Sequence, residues 1–297
     1  MFRILRHSLL AAATIGTAGA APMTLQDYQA LDGPPPERRI AYGNAPSQFV
    51  ELFRPKGDGP FPVVVLIHGG CWTVQYGGIT QMRNIAGALA AQGIAVWNVE
   101  YRRHDEEGGG YPGMYRDVAT AVDLLRDESK HDPRLDLQRI VAVGHSAGGH
   151  LAQWAASRHR LPQWSPAWVA DPLRIPTVIS LGGLADLRNG AALIRASCDR
   201  ETAQLAGVPS AGRPDVFADT SPAEMLPAGI RTVLIHGELD AVAPPSAGED
   251  YARRARAAGD AAEVIVLPGA GHYDEVAAGS PAWPVVDRAI RNALGLP

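Results

Sequence analysis

A Gly-x-Ser-x-Gly sequence at residues 144–148 contains a serine that is well placed to act as a nucleophile. Ser146 follows a β-branched run at 140–143 and precedes a stretch of helical periodicity at 147–158. A serine in a sharp turn between a buried strand and a helix projects its hydroxyl above the sheet, and glycine neighbours let the strand and the helix approach each other. The position predicts that Ser146 attacks a carbonyl carbon, although a plain tight turn between a strand and a helix would give the same pattern.

His272 is the base expected for this serine. A serine hydroxyl is a weak nucleophile near neutral pH, so it needs a base, and the base needs an acid that holds its tautomer. His272 lies in the glycine-rich stretch 268–272 after the last run of strand character, where an imidazole could reach back to the serine. His236 instead ends a strand, and His159 lies on the helix that follows the serine.

Asp240 is the expected acid. It follows the strand predicted at 232–235, in the sequence His-Gly-Glu-Leu-Asp, and it matches a recurring His-Gly-x-x-Asp pattern. Glu238 is its rival in the same loop. Asp186, after the preceding strand, and Asp274 are further candidates, but each is more simply interpreted as a helix cap or a solvated loop residue.

Alternating strand and helix patterns surround these residues. Short β-branched runs are typical of strands buried on both faces of a parallel sheet, and helical periodicity is seen between them. The six core runs are 63–67, 94–99, 140–143, 177–181, 232–235 and 263–267, with an edge strand at 48–53, and the helical stretches are 80–91, 114–126, 147–158, 248–258 and 285–294. This rhythm predicts an α/β fold with an open, mostly parallel sheet that carries its chemistry at the carboxyl ends of the strands.

The composition favours one catalytic domain over residues 21–297, acting on a neutral or weakly polar small molecule. The chain has 297 residues, of which 46% are hydrophobic and 20% charged, which is ordinary for a globular protein. Its 27 basic and 31 acidic residues give a formal net charge of -4, which provides no electrostatic footprint for nucleic acid or an anionic membrane. The irregular segment 186–229 is expected to be a small cap insertion over the site, although ordinary connecting structure would look the same.

Residues 1–20 have the pattern of a signal peptide. Arg3 and Arg6 form a basic region, a small and apolar stretch follows at 9–18, and Ala-Gly-Ala at 18–20 offers a cleavage site. A frayed helix or a membrane anchor is the alternative, but the apolar stretch is shorter than the roughly 18 to 20 residues that span a bilayer. We therefore expect no stable membrane anchor, a mature chain that starts near Ala21, and a periplasmic or secreted bacterial protein.

Only two cysteines are present, Cys71 and Cys198. An exported protein can keep a disulfide, and a bridge here could fix the geometry of the loop around Cys71. A plain buried thiol is the simpler interpretation of each residue. Two cysteines without neighbouring ligands do not indicate a zinc site.

The quoted motifs resemble the α/β-hydrolase superfamily across nearly the whole mature chain. Within it, His-Gly-Gly-Cys-Trp at 68–72 is similar to the loop of a branch that contains esterases and arylformamidase-like enzymes. Further similarity lies at 98–103, at 144–151 and at 181–187. The resemblance implies a mostly parallel central sheet flanked by helices, the chain order serine, acid, histidine, and acyl-enzyme chemistry without a metal or organic cofactor.

The same resemblance assigns the oxyanion hole. By its match to the His-Gly-Gly-Gly type of loop, the stretch at 68–72 would donate the N–H groups of Gly70 and Cys71, joined by that of Ala147 after the nucleophile. His68 would then orient the loop and would not act as a base. A glycine-rich turn without this role is the alternative.

These expectations together predict a serine hydrolase that cleaves carboxylic esters through an acyl-enzyme on Ser146. An arylformamidase is the first alternative, and a non-catalytic binding protein that keeps the hydrolase fold is the second. The small-molecule ester could be aromatic, because aromatic side chains cluster near the site in sequence: Trp72, Tyr76, Tyr101, Tyr111, Trp154 and Tyr273. Each of these could equally belong to the core.

Overall fold

The computed structural model describes residues 21–297. The signal peptide predicted over residues 1–20 lies outside the described part of the chain and stays a prediction.

One eight-stranded sheet forms the centre of the described chain. Its strands are β1 (Arg38–Ala41), β2 (Phe49–Phe53), β3 (Phe61–Ile67), β4 (Ala95–Val99), β5 (Leu135–His145), β6 (Thr177–Leu181), β7 (Arg231–Gly237) and β8 (Ala262–Leu267), in the order β1-β2-β4-β3-β5-β6-β7-β8. β1 pairs antiparallel with β2, β2 pairs antiparallel with β4, and the other neighbouring strands are parallel. The predicted mostly parallel sheet is confirmed, since each of the six core runs overlaps one of strands β3 to β8.

β2 is not the edge strand that the sequence predicts. All five of its residues are buried, and β1 pairs along its outer side. The prediction was wrong because β1, which covers the outer side of β2, was not recognised, and Glu51 in the middle of β2 is only 1% exposed and accepts a hydrogen bond from Arg83 Nε. β1 has no strand signal of its own, because it contains two arginines and none of its four residues is buried.

Helices cover both faces of the sheet. They are α1 (Leu25–Gln29), α2 (Ile79–Ala91), α3 (Gly110–His131), α4 (Ala147–Ser157), α5 (Ala191–Cys198), α6 (Thr202–Ala206), α7 (Pro245–Ala257) and α8 (Trp283–Ala293). The five predicted helical stretches correspond to α2, α3, α4, α7 and α8. No helix formed by residues 21–297 is both long and apolar enough to cross a membrane.

Alternating side chains of the strands supply a separate core for each face. Val63, Val65 and Ile67 of β3 pack with α3 and α4 on one face. Val64 and Leu66 pack with α2 and α8 on the other. All eleven residues of α4 are buried, so the helix that follows Ser146 is enclosed on every side.

Candidate active site

A cavity of about 160 Å³ opens at the carboxyl ends of the parallel strands. Its wall includes Gly70 from the loop after β3, Ser146 after β5, Val242 after β7 and His272 after β8. The carboxyl ends of parallel strands meet at one edge of a sheet, so residues far apart in sequence reach the same cavity. Within residues 21–297, no group of three or more His, Cys, Asp or Glu side chains is arranged to hold a metal ion.

Ser146 occupies a strained turn between β5 and α4. Its φ of 54° and ψ of -121° are sparsely populated by non-glycine residues, at a cost of roughly 1–3 kcal/mol. Its N–H donates to the carbonyl oxygen of Leu181 at 2.8 Å, which fixes the turn to β6. A Cβ on Gly144 would lie 2.1 Å from the Gly148 carbonyl oxygen, and one on Gly148 would lie 2.2 Å from the Ile67 carbonyl oxygen. Glycine at these positions therefore lets α4 approach the strands.

The structure brings His272 and Asp240 together. The Nδ1 atom of His272 lies 2.7 Å from Oδ2 of Asp240. The other oxygen of Asp240 accepts the N–H groups of Val242 and Ala243 at 2.7 and 2.8 Å, so both carboxylate oxygens are engaged. A hydrogen on Nδ1 donates to the carboxylate and leaves Nε2 as the acceptor of the ring. His272 and Ser146 line the same cavity.

The other acidic candidates have different partners. Glu238 accepts the Gly269 N–H at 2.9 Å. Asp186 pairs with Arg254. Asp274 accepts the Gly271 N–H at 2.8 Å. Of the four carboxylates proposed from the sequence, Asp240 is the one hydrogen-bonded to His272.

The glycine-rich loop, residues 68–72, passes directly beside the serine. A Cβ on Gly69 would lie 2.9 Å from that of Ser146. Gly70 and Cys71 have left-handed φ values of 107° and 50°, and both line the cavity. Ala147 is the first residue of α4, and the first amides of a helix have no acceptor within it. Gly70 and Cys71 thus share the cavity with Ser146, and Ala147 follows it directly in the chain, while their role as N–H donors stays a prediction.

Two connections hold the glycine-rich loop in place. Cys71 and Cys198 form a disulfide, so the free thiol favoured by the sequence is wrong. The two cysteines are 127 positions apart, and only the folded chain brings them together. Trp72, also left-handed at a φ of 55°, donates its indole N–H to His150 Nδ1 at 3.2 Å. His150 in turn donates its Nε2–H to the Thr220 carbonyl oxygen at 2.8 Å.

His68 lies behind this loop and does not line the cavity. It is fully buried, and its Nε2 lies 2.7 Å from Glu100 Oε1. Its ring stacks on Tyr101 with 4.4 Å between centroids, and the Tyr101 hydroxyl donates to the His68 carbonyl oxygen. These contacts fix the start of the loop.

The segment 186–229, predicted as a cap, contains the two short helices α5 and α6. Ser197 at the end of α5 lines the cavity, and the next residue is the disulfide partner Cys198. The segment therefore touches the site through the end of α5. A lid function for it stays a prediction.

His145 is a neighbour of the site to which the sequence assigned no role. Its ring centroid lies 4.5 Å from that of His272, and its Nε2–H donates to the His272 carbonyl oxygen at 3.0 Å. Burial lowers the pKa of His145 well below its usual range, so the ring is neutral. His145, at the variable position of the Gly-x-Ser motif, thus holds the backbone of the loop that contains His272. Its position inside this motif is the sequence feature that could have indicated the role.

Glu275 was also missed, and it connects the acid loop with the histidine loop. Its side chain is fully buried, and Oε1 accepts the Gly237 N–H at the end of β7 at 2.6 Å. Burial, followed by the negative charge of Asp240, raises the pKa of Glu275 well above its usual range. A carboxyl three residues after a histidine has no signal in sequence that distinguishes it from a surface residue.

The variant Glu275→Gln is expected to change how stability depends on pH. Folding raises the pKa of Glu275, so its contribution to stability is complete below the unfolded pKa and is lost as pH rises toward the folded one. Each pKa unit corresponds to about 1.4 kcal/mol, or about 2–4 °C in a chain of this size. The Tm of the variant should therefore rise relative to that of the wild type over the pH range above 4.5, the ordinary pKa of this carboxyl. Thermal denaturation across this range measures the difference, and parallel curves would contradict it.

The sheet order, the serine turn and the histidine and acid loops define an α/β-hydrolase. Solved structures agree on the fold: a truncated carbohydrate esterase from gut microbiota has a TM-score of 0.69 at 18% identity, covering 86% of this chain and 95% of that one. Esterase 2 of Thermogutta terrifontis, phosphoramylated by tabun, has a TM-score of 0.67 at 20% identity, covering 87% of this chain and 93% of that one.

The chain belongs to the BD-FAE family, whose model matches residues 50–254. It is similar to esterase LipC of Mycobacterium tuberculosis, with 28% identity over 83% of this chain and 62% of the relative. It is also similar to the probable isoprenylcysteine alpha-carbonyl methylesterase ICMEL2 of Arabidopsis thaliana, with 26% identity over 80% of this chain and 57% of the relative. The chain thus spans about three fifths of the length of these curated relatives.

Proposed function

We propose that this protein is a serine hydrolase that cleaves carboxylic esters through an acyl-enzyme on Ser146, with His272 as base and Asp240 as acid. The 2.7 Å contact between His272 Nδ1 and Asp240, on the wall of the cavity that Ser146 also lines, carries this proposal. Relatives that are named as esterases support it.

Acylation begins when His272 Nε2 takes the proton of the Ser146 hydroxyl as the oxygen attacks the ester carbonyl carbon. The tetrahedral intermediate collapses, the bond to the alcohol oxygen breaks, and the alcohol leaves with the proton held by His272. Water, deprotonated by the same Nε2, then attacks the acyl carbon, the bond to Ser146 Oγ breaks, and Oγ takes the proton back from His272 as the acid leaves. Asp240 keeps the ring in the required tautomer and stabilises its positive form in both steps.

The N–H groups of Gly70, Cys71 and Ala147 stabilise the negative oxygen of each tetrahedral intermediate. One such donor contributes about 3–4 kcal/mol in a well-studied serine protease. The left-handed backbone of Gly70 and Cys71 is the local geometry that supports this assignment.

The cavity favours a small ester without charge. Its volume of about 160 Å³ is close to that of an engineered cavity of about 150 Å³ that binds benzene. Tyr76 and Tyr273 line it and are partly exposed, whereas Trp72, Tyr101 and Trp154 are core residues. These tyrosines support an aromatic ring on the ester.

A comparison of substrates tests the proposal. We expect the mature protein to turn over p-nitrophenyl acetate with a higher kcat/KM than N-formylkynurenine, and to be labelled by a fluorophosphonate probe. A clear preference for the formamide would make the protein an arylformamidase. A folded protein that is neither labelled nor active on either substrate would be a binding protein with the hydrolase fold.

We also propose that the protein is periplasmic or secreted. The pattern of residues 1–20 supports export, and so does the disulfide between Cys71 and Cys198, because cytosolic proteins rarely keep disulfides. N-terminal mass spectrometry of the protein from a bacterial periplasmic fraction should find a chain that starts near Ala21. An intact Met1 in the cytosolic fraction would overturn the proposal.

A further inference from the structure

The wall of the cavity includes the helix α1, which lies N-terminal to the residues that the family model matches. Leu25 and Tyr28 of α1 line the cavity together with Ser146 and His272. The family model begins at residue 50, so α1 lies outside the part of the chain that it matches. This helix forms part of the candidate site without belonging to the sheet or to its connections.

Hydrogen bonds fix α1 and the residues beside it at both ends. At the start, the Met23 N–H donates to Asp274 Oδ2 at 3.2 Å, and Asp274 follows His272 by two residues. At the other end, the carbonyl oxygens of Gln29 and Asp32 accept side-chain N–H groups of α2, at 3.3 Å each. Thr24 caps the helix itself. The helix is therefore held between the histidine loop and α2.

Tyr28 and Leu25 have different surroundings. Tyr28 is 1% exposed, and its ring stacks on Tyr273 with 5.1 Å between centroids, beside His145 at 5.7 Å. Leu25, one turn earlier, is only partly buried and lines the cavity. Tyr28 thus anchors the helix, and Leu25 presents an aliphatic side chain to the space that an ester would fill.

We propose that α1 is a specificity element, in which Leu25 limits the size of the ester that the cavity accepts. The proposal rests on the esterase function proposed above. A cavity of about 160 Å³ has little room beyond one ring or a short chain. Each carbon atom of its wall therefore affects which ester fits. One methylene of fit or misfit in an apolar pocket changes kcat/KM by roughly 10-fold or more.

The test is the variant Leu25→Ala, compared with Leu31→Ala. Leu31 lies in the same N-terminal segment and is also partly buried against the core, but it does not line the cavity. Two substrate series are measured, p-nitrophenyl esters from acetate to octanoate and alkyl acetates from methyl to hexyl, which vary the acyl and the alcohol sides. We expect Leu25→Ala to raise the ratio of kcat/KM for the longest substrate to that for the shortest by about 10-fold in one series. Leu31→Ala should change either ratio by less than about twofold.

Each outcome decides between the two proposals. If the wild type hydrolyses acetate esters and Leu25→Ala keeps the wild-type ratios of kcat/KM in both series, the role of α1 is overturned. The esterase function then remains intact. A folded wild type without activity on either series overturns the esterase function. The bulkier variant Leu25→Phe provides the opposite arm, and it should lower the ratio that Leu25→Ala raises.

Discussion

Replacing Ser146 with alanine is expected to lower kcat for a small ester by about 10⁴-fold or more, because the alanine has no oxygen to form the acyl-enzyme. The serine lies in a turn fixed by a backbone hydrogen bond to Leu181, and alanine differs from it by one oxygen. The fold and the substrate cavity should therefore be retained. The measurement is kcat with p-nitrophenyl acetate, with circular dichroism to check the fold.

The histidine provides a second arm of this experiment. His272→Ala should lose nearly as much activity as Ser146→Ala, and the double variant should be no slower than the slower single variant, because residues that act as one unit are not additive. Ser197→Ala is the matched control. It removes a hydroxyl from the same cavity, but that hydroxyl donates to the Leu193 carbonyl oxygen, so we expect a loss below about threefold. Independent, multiplicative losses for Ser146 and His272 would contradict the proposed proton transfer.

The second large effect is expected for the variant Cys198→Ala, which should lower kcat by about 10- to 100-fold with little change in KM. Cys71 is expected to donate its N–H to the oxyanion and has a left-handed φ of 50°, a conformation that a non-glycine residue keeps only when its surroundings impose it. The disulfide is one of these constraints. Without it, the N–H can turn away from the oxyanion, and one lost donor costs about 10²- to 10³-fold in kcat.

A control must separate this effect from simple loss of stability. A disulfide that closes a long loop contributes about 4–5 kcal/mol in the chain-entropy model, so Cys198→Ala should also lower the Tm. Leu205→Ala in α6 creates a cavity in the same segment without touching the disulfide. It should lower the Tm by a comparable amount and keep kcat within about threefold when both variants are assayed well below their Tm. Equal losses of kcat in the two variants would show that the disulfide acts through stability alone.

Much of this site was predictable from local sequence. The nucleophile turn, the glycine-rich loop and the two late loops each follow a strong strand signal, and the carboxyl ends of parallel strands converge by construction. For that reason Ser146, Asp240 and His272 reach one region once the strand order is known. Asp240 was preferred to Glu238 because it matches the His-Gly-x-x-Asp pattern, and it lies two residues further from the end of β7.

The features that were missed depend on tertiary contacts. The disulfide joins residues 127 positions apart. Glu51 is buried in β2 beside Arg83, which is 32 positions away in the chain. The helix α1 has only five residues, too few for a periodic signal, and its place beside the cavity follows from contacts with α2 and with the loop that holds His272. Charge, length and pattern within a segment contain no information about partners of this kind.

The complete enclosure of α4 has a consequence for engineering. A helix with no outward face offers no position where a charged or bulky residue could be accommodated by water, so all eleven positions should resist mutation in a library screen. Attempts to reshape substrate preference therefore have more scope on the rim, at the N-terminal helix and the loop after β7, than on the scaffold behind the nucleophile.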